Sequence, residues 1–217
     1  VELDVHLSAD GEPVVIHDPM LGRTADGSGL VRDLPVAALR GFDAGRWFGE
    51  GFAGERIPTL AEALEILRPV RVIIEIKNGP IYYPEIASRV AAVARTAGHR
   101  SVTVSSFDHH VLLTLHALAP EIETAVLFSA RPVDPPRLAR DAQAQCLHPH
   151  WGFATPDLIE SAHAAGLRVE VWTVDDPADM AELTDRGVDG IMTNVPGRLR
   201  HVLAAREGSL PAPHRPG

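Results

Sequence analysis

Two pairs of charged residues have the spacing to do chemistry on strand-like segments of the chain. The first pair is Glu2 and Asp4, which alternate with Val1, Leu3 and Val5. Residues two apart on a strand point to the same face, so the two carboxylates face one way. Strands of a parallel barrel are buried on both faces, where two carboxylates are costly unless a cation or hydrogen bonds compensate them. An edge strand with a solvated acidic face is the alternative that alternation leaves open.

The second pair is Glu75 and Lys77, which share one face at the end of a β-branched, apolar segment. Barrel enzymes place their chemistry at the C-terminal ends of strands. If this strand neighbours the first one, Glu2, Asp4 and Glu75 converge on one point. Three carboxylates without a cysteine suit one hard divalent cation, Mg²⁺ or Ca²⁺, and Lys77 is placed to contact the same substrate anion. A buried ion pair between Glu75 and Lys77 is the alternative.

Single residues near other strand ends are further candidates for a functional site, and each is weaker evidence than the two charged pairs. His17 follows an apolar run, where a histidine can act as general acid or base, although a lone histidine is more often structural. Trp172 either forms an aromatic wall for a substrate or packs in the core. Three further polar residues near strand ends have no assigned role: His6, His148 and Glu170.

The elements that must position these residues alternate between strand and helix, which predicts a parallel sheet. Residues 1–7 and 13–17 predict a hairpin, and residues 18–58 an irregular insertion with short helices. Further strands are predicted at 70–77, 101–107, 123–128, 145–148, 168–174 and 190–193. Helices are predicted at 59–67, 83–97, 108–118, 136–142, 156–165, 177–185 and 196–205. Without residues 13–17 this gives seven parallel strands, one fewer than a (β/α)8 barrel. An open doubly wound sheet is the alternative, but no Gly-rich fingerprint follows a strand.

Composition narrows the classes of function. The 217 residues carry a net charge of −9, which disfavours nucleic acid as a partner because an acidic surface repels phosphate backbones. The single cysteine, Cys146, excludes an internal disulfide framework and a cysteine-based zinc site.

No apolar run is long enough to span a bilayer, so we expect no stable membrane insertion. We expect a bacterial, cytoplasmic protein, with a secreted or periplasmic location left open, and no oligomeric state is predicted.

Several short blocks of sequence occur in one order along the chain. Glu-Leu-Asp-Val at 2–5 is followed by Asp-Gly-Glu-Pro-Val-Val-Ile-His-Asp at 10–18. The later blocks are Arg-Thr at 23–24, Gly-Ser-Gly at 27–29, Ile-Pro-Thr-Leu at 57–60, Ile-Glu-Ile-Lys at 74–77, Ser-Ser-Phe at 105–107, Val-Trp-Thr-Val at 171–174 and Gly-Val-Asp-Gly-Ile at 187–191. Together, from residue 1 to about residue 202, these blocks resemble the glycerophosphodiester phosphodiesterase family.

The resemblance implies a TIM-type (β/α)8 barrel with a small insertion after the second barrel strand, which residues 18–58 fit. It implies metal-dependent hydrolysis of glycerophosphodiesters, as in lipid and glycerol metabolism, to an alcohol and glycerol 3-phosphate. By resemblance, Glu2, Asp4 and Glu75 bind the divalent metal, and His17 is one of two catalytic histidines. Lys77 contacts the substrate phosphate, and Trp172 lines the pocket. We expect one barrel domain over residues 1–206 and a disordered tail at 207–217.

The sequence departs from the family pattern at its start. The family opens with a strand carrying His-Arg-Gly and a helix carrying Glu-Asn-Thr, and neither occurs here. We expect both to lie upstream of Val1, so that this chain is a fragment of a longer enzyme or a truncated product with little activity. A smaller departure is Asn194, where members often carry aspartate.

Three other functions stay open on the sequence. A non-catalytic or weakly active relative would bind metal or phosphodiester without normal turnover. A phospholipase D-like hydrolase of lipid head groups, as in the sphingomyelinase D-like branch, would need an apolar rim. An aldolase-type barrel would use Lys77 as a Schiff base, and would not need the three carboxylates.

Overall fold

The computed structural model describes residues 1–99 and 101–207, which form two compact units of α/β structure. The first unit contains Val1–Leu127 and Leu138–Gln145. The second contains Phe128–Arg137 and the described residues from Cys146 onward. The two-unit division does not test the predicted single barrel domain over residues 1–206, which stays a prediction.

The sheet of the first unit holds five strands in the order β2-β1-β3-β4-β5. They are β1 (Glu2–Leu7), β2 (Pro13–Val15), β3 (Val72–Ile76), β4 (Val102–Ser106) and β5 (Glu123–Phe128). β2 runs antiparallel to β1, and the other four strands are parallel. The predicted hairpin is therefore confirmed, and Gly11 in its turn adopts a φ of 76°, where glycine meets no steric penalty.

Residues between β2 and the next helix form the predicted irregular insertion with short helices. It contains a 3₁₀ turn at Val31–Asp33, the short helix α1 (Val36–Leu39) and a second 3₁₀ turn at Glu50–Phe52. Its buried side chains form a cluster with the β2 residue Val14. That cluster also holds Ile16, Leu21, Ala25, Val31, Leu39 and Ile57.

Three helices after the insertion lie wholly in the first unit: α2 (Leu60–Ile66), α3 (Ile86–Ala97) and α4 (His109–Leu118). α2 buries Leu60, Ala63 and Leu64 on one face, as their helical spacing predicts. Its first turn is closed by a capping box, in which Thr59 Oγ1 accepts from Glu62 N and the Glu62 carboxylate accepts from Thr59 N. This helix therefore begins where its sequence indicates.

The second unit repeats the strand–helix alternation with shorter strands. β6 (Cys146–Pro149), β7 (Arg168–Val171) and β8 (Gly190–Ile191) are parallel. They alternate with α6 (Pro156–Ala164), α7 (Pro177–Asp185) and α8 (Pro196–Glu207), and α5 (Pro135–Ala142) has residues in both units. All seven strands predicted to be parallel are found, four in the first unit and three in the second.

Several predicted boundaries are wrong by a few residues. The helix predicted from residue 83 begins at Ile86, because Tyr83 N donates to Asn78 Oδ1 (2.7 Å) and stays in the preceding loop. The strand predicted to reach residue 174 ends at Val171, and beyond it Trp172 forms only an isolated bridge with His150. The predicted tail began at Glu207, which is the last residue of α8, and residues 208–217 lie outside the described residues.

In the ranges 1–99 and 101–207, no helix has both the length and the apolar composition that crossing a bilayer requires.

Loss of the capping box at α2 should destabilise the fold by a modest, measurable amount. We expect Thr59→Ala to lower the free energy of unfolding by about 1 kcal/mol, because a backbone N–H of the first turn loses its acceptor. Urea denaturation measures it. Thr59→Ser, which keeps the hydroxyl, should stay close to the parent, and equal losses in both variants would contradict the capping explanation.

Candidate functional site

The strand register of the first unit brings three carboxylates to one place. In the parallel pairing of β1 and β3, Asp4 lies opposite Glu75 and Glu2 opposite Ile73. One carboxylate oxygen from each of Glu2, Asp4 and Glu75 lies within 4.8 Å of the other two. The convergence that alternation and strand order predicted is therefore present, and we call these three residues the carboxylate cluster.

Lys77 is the cation that the protein itself places against this cluster. Its Nζ lies 3.0 Å from Asp4 Oδ1 and 2.5 Å from Glu75 Oε1. Burial by itself lowers the pKa of the Lys77 ammonium, but the two carboxylates outweigh it and the net shift is upward. When all four groups are ionised, three carboxylates face one ammonium, so two negative charges remain uncompensated.

Burial and the excess negative charge both raise the pKa of carboxyl groups in the cluster. Burial of its carboxyl group, with the charges of Asp4 and Glu75, raises the pKa of Glu2 to about 8, although the residue as a whole is exposed. Burial also raises the pKa of Glu75, against the opposing effect of Lys77. A divalent cation would balance both remaining charges, and carboxylate oxygens are the donors that Mg²⁺ and Ca²⁺ prefer. The residues present therefore fit the cation that the resemblance implies.

His17 lies two residues beyond β2, and its side chain is 56% exposed. The segment is tied to β1 because Ile16 N donates to Asp4 O at 3.0 Å. His17 Nδ1 lies 2.6 Å from Asp18 Oδ1, and Arg23 donates to both Asp18 oxygens. Hydrogen bonds from Arg23, against the opposing effect of burial, hold the pKa of Asp18 well below its usual range. Asp18 therefore stays ionised and orients the ring, which leaves Nε2 as the nitrogen available for proton transfer.

His6 supports the His17 backbone from inside β1. Its Nε2 lies 3.1 Å from His17 O, and its Nδ1 lies 3.1 Å from Tyr83 Oη. Because a carbonyl oxygen only accepts, Nε2 carries the hydrogen and Nδ1 accepts from the Tyr83 hydroxyl. Burial lowers the pKa of His6, which keeps the ring neutral in this arrangement.

Sequence reasoning missed the supporting groups Asp18, Arg23 and Tyr83. Asp18 and Arg23 stand in the quoted blocks, but their type and spacing did not indicate that both would contact His17 or its neighbours. The one available pattern was that His6 shares the strand face of Glu2 and Asp4.

The second unit contains the other residues singled out by sequence. Trp172 Nε1 donates to His148 O at 2.8 Å, and its ring makes an edge contact with His150 at a centroid distance of 5.2 Å. Its assignment as a substrate-binding residue stays a prediction. Asn194, noted above as the smaller departure from the pattern that the chain resembles, donates through Nδ2 to Asp175 Oδ2 at 2.8 Å. An aspartate at 194 would place a second negative charge there and could not donate.

A second cluster with possible metal ligands lies among buried residues of this unit. Single atoms of Cys146, His148 and Glu170 lie within 4.8 Å of one another. His148 Nε2 is 3.3 Å from Glu170 Oε2, and Arg168 Nε is 3.5 Å from Glu170 Oε1. Because an arginine already opposes the carboxylate charge, this cluster lacks the negative excess found at Glu2, Asp4 and Glu75.

The raised carboxyl pKa values should make stability depend on pH when a chelator is present. The folded-state pKa of Glu2, about 8, exceeds its ordinary 4.5, so its stabilisation is complete below pH 4.5 and is lost as pH rises through 8. Glu75 shifts in the same direction, whereas the raised pKa of Lys77 acts only above its ordinary 10.5. We expect Tm, measured in EDTA, to fall between pH 5 and 8.

Glu2→Gln is the matched test of that trend, because it removes the titrating group and keeps the shape of the side chain. The decline of Tm with pH should be smaller in this variant, and added Mg²⁺ should raise the parent Tm more at pH 8 than at pH 5. A Tm profile that Glu2→Gln leaves unaltered would show that the cluster does not carry the pH dependence.

Comparison with known proteins identifies the family. The model of the glycerophosphoryl diester phosphodiesterase family matches residues 1–198. A glycerophosphodiester phosphodiesterase from Caldanaerobacter subterraneus subsp. tengcongensis is 39% identical over 206 residues, which cover 94% of this chain and 85% of that protein.

Solved structures agree with this match. A phosphodiesterase of Oleispira antarctica, in complex with the product sn-glycerol-3-phosphate, has a TM-score of 0.85 and 30% identity, covering 94% of this chain and 84% of that one. A glycerophosphodiester phosphodiesterase from Agrobacterium tumefaciens has a TM-score of 0.80 and 32% identity, covering 92% and 85%. The predicted fold class, α/β of the TIM-barrel phosphodiesterase type, is confirmed. With its family model matched over residues 1–198, this chain belongs to the glycerophosphoryl diester phosphodiesterase family.

Proposed function

We propose that the protein hydrolyses glycerophosphodiesters to an alcohol and glycerol 3-phosphate, with one divalent cation held by Glu2, Asp4 and Glu75. The observation that carries this proposal is the carboxylate cluster, whose ligand oxygens lie within 4.8 Å of one another with Lys77 beside two of them. The family match and the named relatives support glycerophosphodiester hydrolysis. The product held by the Oleispira antarctica enzyme supports glycerol 3-phosphate as the phosphate product.

The charges of the cluster suit a phosphodiester anion once the cation is present. Bound there, the cation supplies Lewis-acid stabilisation of charge that develops on the phosphate oxygens. Lys77 contributes a second positive charge at the same place, because its raised pKa keeps it ionised. An acidic protein can in this way bind an anion at one site while its overall charge stays at −9.

His17 is the residue we assign to proton transfer. During hydrolysis the oxygen of the attacking water bonds to phosphorus and loses a proton to solvent, the bond between phosphorus and the leaving alcohol oxygen breaks, and that oxygen gains a proton. We assign this proton to His17 Nε2, and the 2.6 Å contact between His17 Nδ1 and Asp18 Oδ1 supports the assignment, because the carboxylate would stabilise the protonated ring. His6 and Tyr83 act as positioning residues, because they fix the His17 carbonyl through a buried hydrogen-bonded pair.

Removal of one cluster charge should abolish measurable cation binding and strongly lower turnover. We expect Glu75→Gln to lower kcat/KM for glycerophosphodiesters at least about 100-fold, since even indirect contacts to metal ligands are worth 10- to 100-fold. Calorimetric titration with Mg²⁺ or Ca²⁺ should lose its heat signal in the same variant. Glu65→Gln, on the exposed side of α2, is the matched control. Cation binding that survives Glu75→Gln would contradict the proposed ligand set.

The role of His17 can be separated from a structural one by changing the leaving group. We expect His17→Gln to lower kcat by about 10²- to 10⁴-fold with a simple alcohol as leaving group. The loss should be much smaller for a p-nitrophenyl ester, because p-nitrophenolate leaves without a proton. His163→Gln, at a surface pair with Asp189, is the control. Equal losses with both leaving groups would contradict proton donation by His17.

A further inference from the structure

Three aromatic rings lie exposed to solvent on the insertion between β2 and α2. Trp47, Phe48 and Phe52 are 54%, 69% and 51% exposed. The Phe48 ring makes edge contacts with both others, at centroid distances of 5.7 Å to Trp47 and 5.3 Å to Phe52. We call these three rings the aromatic patch. Single exposed apolar residues are ordinary on a protein surface, whereas the largest contiguous patch on a monomer is often functional.

The loop that carries the aromatic patch is closed by hydrogen bonds at its base. Asp43 Oδ1 accepts from Gly45 N and Asp43 Oδ2 accepts from Gly54 N, each at 2.9 Å. Ala44 N also donates to Glu55 O at 2.7 Å. Because both ends of the loop are fixed in this way, its backbone has little conformational freedom left to lose when the patch meets a partner.

The tip of this loop protrudes from the insertion. A Cβ added at Gly51 or Gly54 would meet no atom of the described residues within 4 Å, apart from its chain neighbours. At the base, a Cβ added at Gly45 would lie 1.9 Å from Phe52 O, so the two arms of the loop pack closely there. The aromatic patch therefore lies on a narrow projection and not in a groove.

The polar atoms of the patch need no hydrogen bond from a partner. Indole has one N–H donor and no acceptor, and Trp47 Nε1 already donates to Ala44 O at 2.9 Å. The rings of Phe48 and Phe52 contain no polar atom. The patch can therefore leave water without leaving a donor unpaired, which is the main cost of burying polar groups in an apolar medium.

The charges beside the patch favour an electrically neutral partner. Residues 42–56 carry two arginines and three acidic residues, and the whole chain carries −9. Arg46 lies 3.4 Å from Asp43 and 3.3 Å from Glu50, so its charge is opposed within the loop. Proteins that bind anionic lipids use clusters of four to eight basic residues, and residues 42–56 contain no such cluster.

The area of the patch is too small for a stable contact between two proteins. An aromatic side chain has roughly 150–250 Å² of surface to bury, so the exposed parts of the three rings offer roughly 250–450 Å². A standard protein–protein interface buries about 800 Å² on each partner. A lipid surface sets no such minimum, because fluid lipids rearrange around an inserted ring.

We propose that the aromatic patch docks reversibly on a neutral, zwitterionic lipid surface, with its rings inserted between the head groups. Tryptophan and phenylalanine are among the side chains that interfacial segments bury at the boundary between head groups and acyl chains. The contact involves three side chains and no segment that spans the bilayer. It does not depend on the proposed hydrolysis, because the patch contains none of the proposed cation ligands and not His17.

Quenching of tryptophan fluorescence measures the contact directly. The protein is mixed with phosphatidylcholine vesicles whose acyl chains carry bromine, which quenches only rings close to it. We expect quenching of the parent, and loss of most of it in Trp47→Phe, which keeps an aromatic ring in the patch and retains Trp151 and Trp172. Absence of quenching in the parent, or equal quenching in both proteins, would overturn the proposal.

Vesicle flotation measures how much each ring contributes. We expect Phe48→Ser and Phe52→Ser each to lower the partition coefficient about tenfold or more, because each removes an apolar ring that binding takes out of water. Ile66→Ser, at a side chain that is 77% exposed on α2, is the matched control and should bind as the parent does. An equal loss in Ile66→Ser would show that the patch has no special role, and unchanged Tm values confirm that the variants are folded.

Vesicle composition tests the charge argument. Binding to phosphatidylcholine should not change with salt, and it should weaken when phosphatidylserine replaces part of the lipid, because the charge of −9 opposes an anionic surface. Tighter binding to the anionic vesicles that high salt abolishes would contradict a neutral partner.

Sedimentation velocity without lipid tests a second copy of the chain as the occupant of the patch. The parent and Phe48→Ser should sediment as the same species. A parent dimer that Phe48→Ser dissociates would overturn the lipid proposal in favour of self-association. None of these measurements requires turnover of a glycerophosphodiester, so their outcome is independent of the proposed function.

Discussion

Negative charge is concentrated where β1 and β3 run side by side, and the neighbouring structure has to hold it there. Parallel register places Asp4 opposite Glu75, with Glu2 on the same face. A one-residue slip of β1 would turn Glu2 and Asp4 to the opposite face and bring Leu3 to the cluster. The register is held because Val5, next to Asp4, and Ile74, next to Glu75, are fully buried. Apolar burial along the strands thus keeps together carboxylates whose mutual repulsion would otherwise separate them.

The same strand also determines where His17 lies. Asp4 contributes its carboxylate to the cluster and its backbone oxygen to Ile16 N. His6, two residues later on the same face, holds the His17 carbonyl. The proposed cation ligand Asp4 and the proposed proton donor His17 are therefore positioned by the same few residues of β1. A shift of this strand would displace both. The hairpin with its tight turn at Gly11 pairs β2 with β1, and it thereby brings the residues after β2 close to β1.

The cluster could be predicted from the sequence because two simple periodicities determine it. Alternation along β1 and β3 predicts which side chains share a face of the sheet. The order of strands in a parallel sheet predicts that these two strands lie side by side. The Asp18–Arg23 contacts and the hydrogen bond from Tyr83 N to Asn78 Oδ1 could not be predicted in this way. They join residues in irregular segments, where no period relates position to direction. The predicted helix boundaries were wrong for the same reason. The helix predicted from residue 83 begins at Ile86, because the Asn78 side chain, which lies outside the helix, accepts from Tyr83 N.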